Sequence, residues 1–318
     1  RSLQHGRTGD ARRGGFHGGP FGWADWAPRS EPRDLRNYTS DAGFPAGFHV
    51  PELPEVEAVA RDLRRALAGA VIEGVTVHRW DVIDGAGRRC AALRLGGGIT
   101  GVLRHGKQLA LVGKDGSVLV VQLGMTGEFG VVPGRAPMIP HTHACWDLDG
   151  GRHLRFVDPR RFGGLTLLDG HDALAERWAL LGPDALSLPA QWGETIAHRR
   201  TPIKAALLDQ GVLAGVGNIY ADEALALAGI RPARPCRKLS THDLARLRSA
   251  LGSVLRAALR SGGSTVRTYR RLGGGQGAFQ AKLRVYGRSG QPCLGCGMTL
   301  RSAQVVGRTT VWCPTCQT

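Results

Sequence analysis

Cys293-Leu294-Gly295-Cys296 and Cys313-Pro314-Thr315-Cys316 place two C-x2-C pairs 16 residues apart. Two thiolates two residues apart share a tight turn, and two such turns close a tetrahedron around a soft divalent ion. One structural zinc is expected on Cys293, Cys296, Cys313 and Cys316. Four thiolates leave no open position for water, so this metal folds its segment and does no chemistry. Disulfides or a redox pair would use the same residues, but the doubled spacing disfavours both. Arg284, Arg288, Arg301 and Arg308 surround the finger and suit a hairpin that faces phosphate. A second concentration of reactive groups is Pro51-Glu52-Leu53-Pro54-Glu55-Val56-Glu57. Three carboxyls there can serve acid–base chemistry, or simply face the positive end of a helix dipole. The residues alone do not choose among Glu52, Glu55 and Glu57.

Charge narrows the partner. The chain of 318 residues has 42 Lys or Arg against 26 Asp or Glu, a formal charge of +16. Residues 1–50 hold seven Arg and five acids, so +14 falls on residues 51–318. A basic folded body implies an anionic partner, nucleic acid before membrane surface. No apolar run approaches the ~20 residues that cross a bilayer, and no secretory signal is visible. A membrane-surface protein is disfavoured by the lack of a basic amphipathic helix with large apolar residues. Seven cysteines in a chain this long do not make a disulfide scaffold. Cys90, Cys145 and Cys236 are isolated and read as buried apolar fillers.

The elements that must position these groups begin at residue 51. Residues 1–49 are rich in Gly, Pro and Arg, with Trp23, Trp26 and Phe44 unphased, and read as a disordered extension. Pro54 suits a helix start; Val56, Val59, Ala60, Leu63 and Leu67 follow at helical spacing, with Gly69 as C-cap. Eight short strands are expected at 71–77, 90–95, 99–104, 108–112, 118–123, 144–148, 154–157 and 165–168, with Asp115-Gly116 and Asp149-Gly150 as hairpin signals. That density points to a β-sandwich or barrel. After Pro183 the pattern turns helical, at 203–208, 219–228 and 241–259. Asn218 is the expected cap of the second helix, and Ser240 or Thr241 of the third. A Gly-rich loop, 272–277, leads into the finger. The organisation read is an extension (1–50), a sandwich (51–183), a helical part (184–275) and a finger (284–318).

Five blocks, in order, resemble the formamidopyrimidine-DNA glycosylase family of bacterial base-excision repair. They are the 51–57 block, Gln122-Leu123-Gly124-Met125-Thr126-Gly127, Asp158-Pro159-Arg160-Arg161-Phe162-Gly163, Gly215-Val216-Gly217-Asn218-Ile219-Tyr220-Ala221 and Val285-Tyr286-Gly287-Arg288, followed by the four-cysteine finger. The resemblance covers residues 51–318. It implies an α+β multidomain fold: an N-terminal β-sandwich flanked by helices, a helix-two-turn-helix domain and a C-terminal zinc β-hairpin. It also implies excision of 8-oxoguanine and formamidopyrimidines from damaged double-stranded DNA, followed by β,δ-elimination. The expected localisation is the bacterial cytoplasm, the expected state a monomer, with no membrane partner.

The same resemblance assigns roles. Pro51 is the amine nucleophile that attacks C1′, and Glu52 its general acid/base. Lys107 contacts phosphate and assists elimination, and Arg308 contacts the lesion phosphate and serves the second elimination. Met125, Arg160 and Phe162 fill the void left by the extruded nucleotide, although Met125 and Phe162 also read as core packing. His141, Arg199 and Asn218 are phosphate contacts, and Lys204 is a weaker candidate. Gln122 stands where the family often has His, which removes a polar contact. The full trio and a full-length lesion loop at 266–279 favour the purine branch over endonuclease VIII-like enzymes for oxidised pyrimidines. A catalytically inactive zinc-finger DNA-binding module is the other alternative, decided by whether the Pro51 nitrogen is free. The active chain is expected to begin at Pro51, since an acylated proline nitrogen has its lone pair delocalised into the carbonyl. Val50 stands where the family has its initiator Met, and a GTG start codon read within a longer frame prints as Val.

Overall fold

A computed structural model describes residues 50–85, 91–265, 272 and 274–318. Residues 1–49 of the extension, Cys90 and half of the expected lesion loop, 266–271 and 273, lie outside the described residues. Helix α1 (Leu53–Ala66) is closed at its start by a capping box in which Glu52 is N-cap and Glu55 reaches back to the Glu52 N–H. Pro54 lies in its first turn, where no N–H is needed. The helix ends at C-cap Leu67, with Gly69 two residues further on in a left-handed turn. Val56, Val59, Ala60 and Leu63 give it one apolar face, buried in the sandwich.

Two sheets follow. Strands β1 (Ile72–Val77), β7 (Thr142–Leu148), β8 (Arg152–Val157) and β6 (Glu128–Pro133) form one, all antiparallel. The other has the order β2 (Ile83–Gly85), β9 (Gly164–Leu168), β5 (Val118–Gln122), β4 (Gln108–Gly113) and β3 (Ile99–His105), with β2 parallel to β9. Alternate residues face inward: Trp146, Leu148, Leu154 and Phe156 from one sheet meet Leu109, Leu111, Leu119 and Val121 from the other. The sandwich reading therefore holds over the barrel. Strands β4 and β5 read as continuous apolar runs because both faces are covered. Ala110, Val112, Val118 and Val120 point outward under Leu174 of helix α2 (His171–Ala179) and Trp178.

The sequence reading errs in places. The strand expected at 90–95 is a 3-10 segment, Ala92–Gly97. Leu95 and Gly96 lie at φ 49° and 64°, which a strand cannot hold. Strands β2 and β6 and helices α2 and α3 (Trp192–Ala197) carry too few apolar residues in phase to announce themselves.

The helical part comprises α3, α4 (Ile203–Leu208), α5 (Asn218–Ala228) and α6 (Thr241–Arg260). Ser240 caps α6 with Asp243 completing a capping box, as expected. Asn218 is not the cap of α5. Gly217 holds that position, and Asn218 begins the helix with its side chain turned to the finger. Leu53 of α1 and Phe279 both enter the helical core, around Trp192, Ile203, Leu213 and Tyr220. Strands β10 (Arg301–Val305) and β11 (Arg308–Trp312) make the C-terminal hairpin. Cys145 and Cys236 are buried, as read. No described helix is long and apolar enough to cross a membrane.

Candidate active site and zinc centre

The Glu52 carboxylate is 1% exposed and closes the N-terminus of α5. It accepts the N–H of Gly217 at 2.7 Å, of Ile219 at 2.9 Å and of Tyr220 at 3.3 Å. The helix dipole and its unsatisfied amides together hold a carboxylate here. A Cβ at Gly217 would fall 2.5 Å from Glu52 Cδ, so the close approach requires glycine. The Leu53 N–H donates to Gly215 O at 3.0 Å, which fixes the 51–53 segment against the 215–217 loop.

Lys107 lies in the β3–β4 turn and is 7% exposed. Its turn is fixed by Asp184, which accepts the Gly106 N–H at 2.8 Å and pairs with Arg104. Arg104 also pairs with Glu57 of α1 at 2.8 Å. These charges hold the Glu57 and Asp184 carboxyls below the usual range, against the opposing effect of burial. A Cβ on Gly106 would fall 2.9 Å from Ala214 Cβ, so this turn packs beside the same 215–217 loop. Glu57 is thus an ion-pair anchor, and Glu52 is the acid that faces the helix end.

The finger docks on the same helix. Lys204 of α4 is fully buried, pairs with Asp222 of α5 at 2.6 Å and donates to Thr310 Oγ1 at 2.7 Å. Asp222 also accepts the Val311 N–H at 3.2 Å. Burial pushes the Lys204 amine down and the Asp222 carboxyl up, to about 6, and each charge opposes the other's shift. Asn218 Nδ2 donates to Thr309 O at 3.2 Å. Arg308 begins β11 and is 8% exposed. Its Nη2 and the Asn218 Oδ1 are buried with no hydrogen-bond partner among the described residues. Buried polar atoms without partners are rare and mark places built for a ligand or water. Lys204 is therefore a docking residue of the finger, a more internal role than phosphate contact.

A second group gathers around Asp158, which is fully buried. It accepts the Thr126 hydroxyl, the Gly163 N–H at 2.7 Å and the Arg160 N–H at 3.3 Å. Its own N–H donates to His141 O at 3.1 Å, and His143 Nε2 bonds its carbonyl at 2.8 Å. One aspartate thus joins the turns that carry Met125, Arg160, Phe162 and His141. Arg160 is exposed, its guanidinium 4.9 Å from the centroid of the half-buried Phe162. Met125 is only 3% exposed, so its side chain must turn out before it can enter a duplex. His141 is exposed and left-handed, at φ 65°. Arg199 joins neither group by any described bond; it pairs with Asp209 at 3.3 Å.

Sequence reading missed the residues that do this positioning. Asp158 lies in a quoted block without an assigned role. Asp222 holds the finger hairpin, and Glu223 accepts three amides, of Arg284, Val285 and Tyr286. A buried acid inside an otherwise apolar helix, as in Asp222-Glu223, is the signal that could have found two of them.

The four finger thiols lie within 4.8 Å of one another, with Cys296 and Cys313 Sγ 3.5 Å apart. A Zn–S bond of about 2.3 Å sets tetrahedral S–S separations near 3.8 Å, so the donor set fits. Cys293, Cys296, Cys313 and Cys316 form the site of one structural zinc.

Sandwich, helical module and four-cysteine hairpin, meeting at a carboxylate held by a helix end, define a helix-two-turn-helix zinc-finger protein. Three family profiles match in succession. They are the formamidopyrimidine-DNA glycosylase N-terminal domain over residues 50–165, the formamidopyrimidine-DNA glycosylase H2TH domain over 181–270, and the zinc finger found in FPG and IleRS over 290–318. The formamidopyrimidine-DNA glycosylase of Xanthomonas oryzae pv. oryzae is 41% identical over 274 residues, covering 84% of this chain and all of the relative. The MutM (Fpg) protein of Thermus thermophilus superposes with a TM-score of 0.74 at 41% identity, over 84% of this chain and 98% of that one. A variant of the Lactococcus lactis enzyme solved on Fapy-dG DNA gives 0.76 at 31%, over 84% and 99%. The chain belongs to the formamidopyrimidine-DNA glycosylase family.

Proposed function

We propose that the chain is a bifunctional DNA glycosylase and abasic-site lyase of base-excision repair, taking oxidised purines from duplex DNA. The observation that carries the reading is the Glu52 carboxylate, sealed onto the α5 N-terminus directly after Pro51. An amine nucleophile next to a positioned carboxyl is the arrangement that displacement at C1′ requires.

The Pro51 nitrogen attacks C1′ as the N-glycosidic bond breaks. The Glu52 carboxylate takes the proton that the attacking amine loses and passes it to O4′ as the C1′–O4′ bond breaks. The sugar ring opens and an iminium ion is left, an electron sink that permits proton removal at C2′ and expulsion of the 3′ phosphate. A further elimination expels the 5′ phosphate. Lys107 and Arg308 stabilise the phosphate oxygens, Arg308 through its unpartnered Nη2. His141, Arg199 and Asn218 contact further phosphates; Met125, Arg160 and Phe162 support the opened stack. When bound, the zinc supplies no chemistry and holds the hairpin that presents Arg308.

The scheme requires a free amine at Pro51. A free α-amine has a pKa of about 8, so a useful fraction is nucleophilic at neutral pH. The working enzyme therefore begins at Pro51, as a monomer in the bacterial cytoplasm with no membrane partner. The sandwich, helical part and finger divide at 51–183, 184–275 and 284–318.

Borohydride trapping on an 8-oxoguanine:cytosine duplex tests the reading, paired with N-terminal sequencing of the trapped chain. The expected result is a covalent complex on protein starting at Pro51. Trapping on a chain that retains residues 1–50 would remove Pro51 as nucleophile. Trapping on oxidised-pyrimidine duplexes alone would move the chain to the endonuclease VIII-like branch. Tight duplex binding without any trapping would leave a DNA-binding module.

A further inference from the structure

Glu55 has no part in the scheme above, yet its carboxyl joins three segments. It is fully buried. Oε2 accepts the Glu52 N–H at 3.1 Å, and Oε1 accepts the Ser264 N–H at 2.6 Å and the Tyr220 hydroxyl at 2.5 Å. Tyr220 Oη lies 3.3 Å from Ser264 Oγ. Ser264 belongs to a stem formed by 263–265 and 277–280. Ser264 bridges Ala278, Phe279 N–H donates to Gly263 O at 3.0 Å, Gly277 N–H donates to Thr265 Oγ1 at 2.8 Å, and Thr265 N–H donates to Gln280 Oε1 at 3.1 Å. Gly263 is left-handed at φ +87°, and a Cβ there would fall 2.8 Å from Glu55 Oε1. The stem can approach this carboxyl only through glycine.

We propose that Glu55 is a positioning residue that ties this stem to the Pro51–Glu52 backbone, and that its proton sets the strength and polarity of the tie. The inference rests on the function proposed above. A base attached to the C1′ that Pro51 attacks lies within reach of a stem only two hydrogen bonds from Glu52. An abasic sugar has no base to meet it.

The ionised carboxylate only accepts. It takes both amides and the phenol proton in charge-assisted bonds, about twice as strong as neutral ones. Tyr220 Oη is then open to accept the Ser264 hydroxyl proton. The protonated carboxyl instead donates to Tyr220 Oη, the phenol proton turns to Ser264 Oγ, and both amide bonds lose their charge assistance. One proton is gained at Glu55 and two hydroxyls rotate; neither hydroxyl ionises. Glu52 and Tyr220 are titratable groups acting on this cluster from α1 and α5, and the free Pro51 amine of the working enzyme, directly before Glu52, is a third. Burial and the two acids push Tyr220 well above the ordinary phenol range, so it keeps its proton. Burial lifts Glu55 to about 7, against the pull of its hydrogen bonds. The ionised fraction therefore grows with pH through neutrality, and the firm tie with it.

The test compares single-turnover excision of 8-oxoguanine with cleavage of a preformed abasic site, on the zinc-loaded full enzyme. Taking the ratio cancels the Pro51 titration common to both. In the parent the ratio rises about tenfold from pH 6 to pH 8, as one proton with this midpoint requires. In Glu55→Gln, whose amide donates to Tyr220 as the neutral acid does, the ratio stays at its low-pH value within about twofold. A flat parent ratio, or an unchanged rise in E55Q, overturns the proposal. Difference infrared spectroscopy of the unaltered enzyme gives a second reading that needs no variant to fold. A buried neutral carboxyl band fades with a midpoint near 7, and Tyr220→Phe moves that midpoint upward. A band that does not titrate overturns the proposal as well. Loss of both excision and abasic cleavage in the parent would instead sink the enzymatic reading, and leave the infrared titration to decide the tie.

Discussion

The β-sandwich and the zinc hairpin are built on opposite principles. The sandwich buries 26 apolar residues in one continuous core, among the described residues, including Trp146 and Phe156 at 0% exposure. The hairpin has four: Val285, Leu300, Val311 and Cys313. Strand β10 has no buried residue at all. At about 25 cal/mol per Å² of buried apolar area, so small a core cannot offset the entropy of ordering some thirty residues. The hairpin therefore depends on its metal and on the helix it docks against, and the sandwich depends on neither.

The largest predicted effect attacks that contrast directly. Cys313→Ser should lower bound zinc from close to one per chain to near zero, measured by elemental analysis. Structural zinc contributes about 10 kcal/mol or more to such segments, so the hairpin should unfold. Lesion-duplex binding should weaken on the order of 100-fold, equivalent to about 3 kcal/mol. The far-ultraviolet β signal and main melting transition of the sandwich should survive. A metal-free protein with an intact hairpin and full binding would erase the distinction. The converse is Trp146→Ala, which empties the sandwich core and should cost about 3–5 kcal/mol in denaturant unfolding without changing zinc content.

The seam between hairpin and helices sharpens the comparison, because it is charged and buried at once. Lys204→Met leaves Asp222 without its cation, a situation that costs about 3–5 kcal/mol where the charge cannot be relieved. Asp222 can relieve it by taking a proton, since burial already holds its carboxyl up to about 6. A carboxyl raised in the folded state loses stability as pH climbs through that raised value and regains it as pH falls. The variant should therefore be weakest at about pH 8 and near parental at about pH 5, by chemical unfolding. Adding Asp222→Asn should remove the pH dependence. A pH-independent loss would mean that the pair is neutral in the parent.

How much of this was legible in the sequence follows the same division. The zinc ligands were readable because chelation fixes residue type and spacing locally. Helices α1 and α6 were readable because each has a buried face at helical period, and α5 because it is apolar along most of its length. The joints were not. Glu52, Glu55 and Glu57 are alike in sequence, and only tertiary contact separates an acid on the α5 N-terminus, a tie to Ser264 and an anchor for Arg104. Asn218 has the composition of a cap, yet Gly217 takes that place because Glu52 must approach it closely. Long-range burial of charge leaves little periodic trace, so the positions of Asp158, Lys204, Asp222 and Glu223 emerged only from the folded chain.

The smallest predicted effect on the fold separates the two regions at the DNA. Each supplies one arginine of opposite character: Arg308 is buried in the hairpin with a nitrogen that has no hydrogen-bond partner among the described residues, and Arg160 is exposed on the sandwich rim over Phe162. The Arg160 backbone N–H bonds Asp158, and its side chain lies outward. Arg160→Ala should therefore shift stability by less than about 0.5 kcal/mol, as surface substitutions do. If the guanidinium fills the opened stack, as proposed, excision on a lesion duplex should fall more than binding to undamaged DNA. If it only met phosphate, both would fall alike and the slope of log affinity against log salt would drop by about one. Salt titrations of binding and single-turnover excision on the same protein distinguish the two. Unequal losses with an unchanged slope place Arg160 in the helix void, and equal losses with a reduced slope make the sandwich rim a generic electrostatic surface.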